Sequence, residues 1–329
     1  MHSPQVTVAM AVFNAGRFLE AAVRSILDQS YGDFELLLID DGSNDNSREI
    51  CRNFGDGDPR IRCIFKEKND GLAVVRNISI REAKGDYLLM VDADDLMEKD
   101  TIEKAVEIAR KDGADAVIWD YTTFTGEKPS KDDSTSRLSA IDVKDRRKLL
   151  TLPAFMPVRM FRTRYLREKG IQFPAGLTKQ DIPVHWRMIT DEDCRISLLP
   201  GKLFHYRQQP QATSRRKDRS VLSLAKVMDI VRENLIADGV YETYKNEFLY
   251  KRLSLLFGMH DFILPEHKTE ALGMVKDRYD DEARAYLKSA DCRLDRPARW
   301  FYGRIDGKPM DTVAYNSYLA IRWLYRKLK

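Results

Sequence analysis

Long apolar runs are missing: none approaches the ~18 residues a membrane-spanning helix needs, and the longest candidates, residues 36–39 and 87–91, have the length of buried strands. Cysteine is scarce, and Cys51, Cys63, Cys194 and Cys292 form no C-x-x-C pair. That excludes a disulfide scaffold and argues against structural zinc. Neither G-x-G-x-x-G nor G-x-x-x-x-G-K-[ST] occurs, so the usual dinucleotide and P-loop readings fall away. Net charge is small too: 55 Lys+Arg against 51 Asp+Glu leave +4 over 329 residues, so no nucleic-acid partner is expected. The opening MHSPQ carries neither a basic region nor an apolar core of a signal peptide, which gives the expectation of a cytoplasmic, reducing location.

A composition of 43% hydrophobic, 10% aromatic and 32% charged residues supports a packed core and excludes disorder. Over the first 120 or so residues strand and helix patterns alternate. Residues 6–13 (VTVAMAVF) are almost wholly apolar, as in a strand buried on both faces of a parallel sheet. Phe18, Leu19, Ala22, Val23, Ile26 and Leu27 then form one helical stripe. Strands are expected at 34–39, 60–65, 87–91 and 114–121, with helices over 72–83 and 101–111 and another carrying Ile50, Cys51 and Phe54 behind N-cap candidates at 43–46. This repetition implies a doubly wound α/β layer with ligands at the carboxyl ends of its strands. Beyond a polar stretch at 122–137 the pattern is irregular: a short helix over 181–190, a hairpin over 195–207 around Pro200-Gly201, and mostly helix from Asp218 onward.

The chemistry-bearing residues end strands. Asp40-Asp41 closes the second and Asp92-Ala93-Asp94-Asp95 the fourth, so in a parallel sheet both face one edge. D-x-D recurs at 56–58 and 191–193, and only position after a buried strand raises the copy at 92–94 above these. Hard oxygen ligands of this kind suit Mg²⁺ or Mn²⁺, which complete their shells with phosphate and water. The alternative is that these carboxylates cap the following helices.

Taken in order, Val8 to Asn14, Ser25-Ile26-Leu27-Asp28-Gln29-Ser30-Tyr31, Phe34-Glu35, Ile39-Asp40-Asp41-Gly42-Ser43, Asn69-Asp70-Gly71-Leu72, Arg76-Asn77, Ala83 to Tyr87 and Val91 to Asp95 resemble the family 2 glycosyltransferases. Weaker matches follow at Phe173-Pro174-Ala175-Gly176-Leu177, Asp181, Tyr206-Arg207 and Ser214. The resemblance implies a GT-A type, Rossmann-like nucleotide-sugar-binding sheet with a mostly helical C-terminal region, and inverting transfer from a nucleoside diphosphate sugar, usually UDP-linked. It implies that Phe13, where the family usually has Tyr, stacks on the base, that Asp41 accepts from the uracil N3-H, and that Arg76 lies by the nucleotide. Ala11, Asn14, Ser43, Asn69, Ala93 and Arg207 are expected to line the donor site. Asp92 would face the ribose or the metal, and Asp94 would hold the Mn²⁺ or Mg²⁺ that bridges the diphosphate. Asp181 would be the general base, with a helix N-cap as its rival role. Ala11 replaces a common Pro, and Gln180-Asp181 stands where the family has Glu-Asp.

The expected division is a catalytic domain over 1–210, with a nucleotide-binding half 1–121 and an acceptor half 122–210, then a helical region over 211–329. The basic run 205–217 reads as a loop closing over the diphosphate, Arg207 or Arg215 neutralising the leaving group, or as a solvated loop. His185-Trp186 reads as acceptor lining or as core. Residues 315–329 (YNSYLAIRWLYRKLK) have the composition of an interfacial helix that would bind the inner membrane face, or of a packed core or dimer helix. The expected acceptor is a glycan or lipid-linked sugar in surface polysaccharide synthesis. Rival readings are a sugar nucleotidyltransferase, which needs a Gly-rich basic loop after its first strand, and a non-catalytic glycan-binding relative.

Overall fold

The computed structural model describes residues 3–127, 129, 135–209 and 215–307. The expected membrane-surface segment 315–329 and Ser214 lie outside them. Two compact units are present, Met1–Arg215 and Arg216–Lys329.

The first unit is built on eight strands: β1 (Val6–Val12), β2 (Phe34–Asp40), β3 (Ile61–Phe65), β4 (Tyr87–Asp92), β5 (Leu96–Met97), β6 (Ala116–Phe124), β7 (Arg159–Arg162) and β8 (Ile196–Arg207). Its helices are α1 (Leu19–Leu27), α2 (Ser47–Gly57), α3 (Leu72–Glu82), α4 (Thr101–Asp112), the single turn α5 (Arg146–Leu149), α6 (Thr163–Glu168) and α7 (Asp181–Thr190). The sheet order is β3-β2-β1-β4-β7-β6-β8-β5. β1 lies parallel between β2 and β4, and every residue of β2 is buried, which is why these strands read as unbroken apolar runs. In this register Val12 pairs with Asp40 and Ala11 with Asp92, so the ends of β1, β2 and β4 are level. Connections leave β1 toward β2 on one side and reach β4 on the other, the kind of switch point at which open α/β sheets bind ligands.

Past β4 the sheet stops being parallel. β7 runs antiparallel to both β4 and β6, and β5 antiparallel to β8. The expected hairpin over 195–207 is overturned: β8 is one strand, parallel to β6, whose register slips between Trp119 and Tyr121 as Leu199 gives way to Lys202 and Phe204. Pro200 has no N–H to give the ladder, so Pro200-Gly201 is absorbed as a bulge rather than a turn.

The second unit is helical: α8 (Ser223–Ala237), α9 (Tyr241–Phe262), α10 (Lys268–Asp277), α11 (Asp281–Lys288) and α12 (Arg296–Ile305). α8, α10, α11 and α12 pack on α9 around Val227, Val231, Phe248, Leu253 and Tyr302, all fully buried. No described helix is long and apolar enough to cross a membrane.

Candidate active site

At the ends of β1 and β2 two loops are laced together by side chains accepting from main-chain amides. Asn14 N–H donates to Ser43 Oγ at 3.0 Å, Ala15 N–H to Ser47 Oγ at 2.9 Å and Gly16 N–H to Asp45 Oδ2 at 2.9 Å. Asn44 N–H answers by donating to Asn14 Oδ1 at 2.8 Å, and Asn14 takes a left-handed φ of 49°. A Cβ on Gly16 would lie 1.8 Å from Asn46 Oδ1, so with Asn46 in place any larger residue displaces that side chain. The N-cap of α2 is Asn46, which makes no side-chain cap bond; the polar run at 43–47 serves the neighbouring loop instead. Above this lacing Phe13 projects with 44% of its surface exposed, an open ring face at the strand end.

Asp40 is fully buried and takes Arg48 Nε at 2.7 Å, with the Ser43 amide beside both oxygens at 3.3 Å. Asp41 accepts from the Gly71 amide at 2.8 Å, the Asp70 amide at 3.1 Å and Lys66 Nζ. A carboxylate offers about four lone-pair sites, so Asp41 keeps acceptor capacity for a further donor. Gly42 (φ 74°) presses onto the main chain of Lys68 and Asn69, where a Cβ would come within 2.6 Å of the Lys68 carbonyl carbon, and Asn69 stands exposed beside it.

The second cluster centres on Arg76, 3% exposed on α3. Its guanidinium donates to Asp181 Oδ1 and lies 3.5 Å from Asp92 Oδ1, joining the end of β4 to the start of α7. It also sits over the Phe173 ring at 5.5 Å. Phe173 is pinned by Asn77, which donates to its carbonyl at 2.9 Å and accepts from its amide at 2.8 Å. The Arg76-Asn77 and Phe173 segments are thereby one structural feature. The N-cap role for Asp181 is excluded: Gln180 occupies the cap, and the Asp181 carboxylate takes Arg76 and the Met156 amide at 3.4 Å. The helix-capping alternative for 92–95 also fails, because the N-cap of α4 is Asp100.

Ala93 is buried, while Asp92 and Asp94 on either side are half-buried. Gln209 Nε2 donates to Asp94 Oδ2. Arg207, 3% exposed, reaches behind the acidic turn: its amide donates to Asp95 Oδ1 at 2.8 Å and its Nε to the Asp94 carbonyl at 2.6 Å. The guanidinium is held between the Phe18 and Phe124 rings, 4.4 Å from each centroid. Asp95 Oδ2 is buried without a partner. Burial, reinforced by Asp94 and Asp181, pushes the Asp92 carboxyl up to about 6, with Arg76 opposing. Burial also raises Asp94, and burial together with Asp92 and Asp94 holds Asp95 well above the usual carboxylate range.

Among the described residues no three His, Cys, Asp or Glu side chains form a metal cage by themselves. The fit for a divalent ion rests on Asp92 and Asp94, hard oxygen donors in an under-neutralised acidic turn with an orphaned carboxylate oxygen next door, where Mg²⁺ or Mn²⁺ would complete its shell with phosphate and water. His185 and Trp186 are each 2% exposed and belong to the core, which overturns the acceptor-lining reading of the pair. Sequence reasoning missed Lys66, Gln209 and Arg159. Arg159 is fully buried behind Asp181, donating to the Pro153 carbonyl at 2.6 Å and meeting His185 Nδ1 at 3.0 Å; burial pushes it down to about 10. No spacing in the sequence announces these contacts.

Residues 7–170 match the family model described as Glycosyl transferase family 2. Over 122 residues the chain is 38% identical to glycosyltransferase GlyG of Streptococcus pneumoniae, covering 37% of this chain and 40% of that one. It is 38% identical over 104 residues to the putative teichuronic acid biosynthesis glycosyltransferase TuaG of Bacillus subtilis, covering 32% and 41%. The chain thus spans about two fifths of the length of these curated relatives. Among solved structures, S. aureus TarS 1-349 in complex with UDP-GlcNAc superposes with a TM-score of 0.58 at 16% identity, covering 92% of each chain. Mannosyltransferase PcManGT from Pyrobaculum calidifontis, in complex with GDP-Man and Mn²⁺, gives 0.51 at 18% identity over 87% of this chain and 85% of that one. The sheet is the expected GT-A type.

Proposed function

The chain belongs to glycosyl transferase family 2, and from that premise we propose that it moves a sugar from a nucleoside diphosphate donor, UDP-linked, to a hydroxyl of a glycan or lipid-linked acceptor with inversion. The observation that carries this reading is the Arg76 bridge: one buried guanidinium holds Asp181 beside the carboxylates that end β4. Phe13 offers a face to the base, Asp41 an acceptor for the uracil imide, and Asn14, Ser43, Asn69, Ala11 and Ala93 shape the pocket between them. Asp94 and Asp92 would hold Mn²⁺ or Mg²⁺, which when bound stabilises the negative charge building on the leaving diphosphate. Asp181 takes the proton of the attacking hydroxyl. Arg207 acts from behind, fixing the turn that presents Asp94. The UDP-GlcNAc held by TarS and the GDP-Man held by PcManGT support a nucleotide-sugar donor, and the TuaG likeness supports a role in surface polysaccharide synthesis.

Calorimetry with UDP tests this. Binding should strengthen when Mn²⁺ is added, and Asp94→Ala should remove that gain while keeping metal-free affinity. Equal UDP affinity with and without Mn²⁺ in the wild type would overturn the metal assignment, and no UDP binding at all would overturn the UDP donor.

A further inference from the structure

The geometry points to Tyr121, Phe155 and Tyr206 as a wall on which a neutral hexopyranose ring of the acceptor stacks, an inference that rests on the transfer reading above. The three rings form an edge-to-face array, with Phe155 centred 5.2 Å from Tyr121 and 5.1 Å from Tyr206, and Tyr121 6.3 Å from Tyr206. Phe204 lies beneath Phe155 at 5.9 Å and is 1% exposed, whereas the three rings above it are all only half-buried. Core aromatics close over one another as Phe204 does; this array stops short and leaves apolar surface open.

Its position gives that open surface a use. Phe155 immediately precedes Met156, whose amide donates to Asp181 Oδ2 at 3.4 Å. Tyr206 immediately precedes Arg207, whose amide and Nε hold Asp95 and the Asp94 carbonyl. Phe155 and Tyr206 therefore each adjoin in sequence a residue whose amide bonds a site carboxylate, Asp181 for the one and Asp95 for the other, which sets the array beside the place where an acceptor must bring its hydroxyl. A pyranose presents axial C–H groups on its faces and hydroxyls at its edge, so it suits an aromatic face with a polar rim. Arg137 supplies such a rim: its guanidinium lies 5.1 Å from the Tyr121 centroid and is half exposed. Asp120 pairs with Arg137, so the rim carries donors without net charge and favours an uncharged sugar over a phosphate or carboxylate.

The test uses methyl β-D-glucopyranoside and methyl N-acetyl-β-D-glucosaminide as probes, added to the full chain with UDP and Mn²⁺ and followed by saturation-transfer NMR. At least one glycoside should receive saturation on its ring C–H protons. Tyr206→Ala and Tyr121→Ala should each weaken that binding about tenfold, the scale of one aromatic contact, with UDP affinity unchanged. Tyr206→Leu keeps apolar bulk but removes the flat face, so it should weaken binding in a protein that melts like the wild type. Wild-type affinity in the Leu variant would overturn the wall. UDP calorimetry on the same sample separates the two readings: a wild type that binds UDP but neither glycoside overturns the wall alone, and one that binds neither UDP nor glycoside overturns the transfer reading as well.

Discussion

The loops after β1 and β2 and the cluster around Arg76 sit on the same sheet edge but are held by different means. In the loops, side chains of residues 43–47 accept from the amides of residues 14–16, so the geometry is fixed by hydrogen bonds between two adjacent strand ends. Around Arg76, three charged groups from α3, β4 and α7 hold one another, and the pair Arg76–Asp181 joins residues 105 apart. The lacing tolerates the loss of a member such as exposed Asp45, because water can take its place as acceptor. A buried charge cluster does not, because Arg76 is the counterion of both carboxylates.

That difference predicts the largest effect at Arg76. Arg76→Ala leaves Asp92 and Asp181 without their shared cation and should cost about 3–5 kcal/mol of stability, the usual penalty for breaking a buried ion pair from one side. Arg76→Met combined with Asp181→Asn removes the cation together with the anion it bonds, leaving only Asp92, and should recover much of the loss. Urea unfolding of the two variants beside the wild type decides it, and a double variant no more stable than Arg76→Ala would show that the guanidinium holds the fold through Phe173 and not through charge.

Asp181→Asn alone probes chemistry within the same cluster. The amide keeps the size of the side chain and an oxygen for Arg76, so the fold and UDP affinity should persist, while kcat falls on the order of 10²-fold for want of a base. Single-turnover transfer with a UDP-sugar measures it. A wild-type rate would move the base elsewhere.

The same contrast explains what could be read from the amino-acid string. β1, β2 and β4 were legible because burial on both faces writes a continuous apolar run and an acidic turn marks where it ends. The acidic ends Asp41, Asp92 and Asp94 follow from those runs, whereas Phe13 and Asn14 come through the family resemblance. Asp181 came only through family resemblance, since nothing near residue 181 records Arg76. β7 was invisible: four residues, RMFR, carry two arginines, and Arg159 is buried only because carbonyls of the preceding turn receive it. Pro200-Gly201 misled for the converse reason, since the local signal for a turn was outweighed by pairing of β8 with β6 on both sides of the bulge.

On the loop side the expected losses are smaller. Gly16→Ala drives a methyl into Asn46, a side chain that can swing away, so stability should drop by about 1–3 kcal/mol as in other overpacked sites. UDP affinity should fall with it, because Asn14 and Phe13 ride on the same loop. Adding Asn46→Ala makes room and should restore both by calorimetry and melting. Failure of that rescue would mean that Gly16 matters through its hydrogen bond to Asp45 rather than through space.

A last effect sharpens the comparison through pH. Asp92 holds its proton more tightly in the folded chain, near 6, than at its ordinary value of 3.8, because burial and the neighbouring Asp94 and Asp181 carboxylates disfavour its charge. Below the ordinary value both folded and unfolded chains carry the proton, and the group contributes nothing to pH dependence. Between the two values only the unfolded chain has lost it, and stability declines as pH rises toward 6, above which the cost is fully present. Asp92→Asn carries no ionisable group there, so its stability relative to wild type should improve steadily between about pH 4 and about pH 7 and then level off. Urea midpoints across that range measure the difference, and a gap independent of pH would remove Asp92 as its source. Repeating the wild-type series with UDP and Mn²⁺ should shrink the gap at neutral pH, since a cation beside Asp92 and Asp94 favours the ionised carboxylates that burial alone penalises.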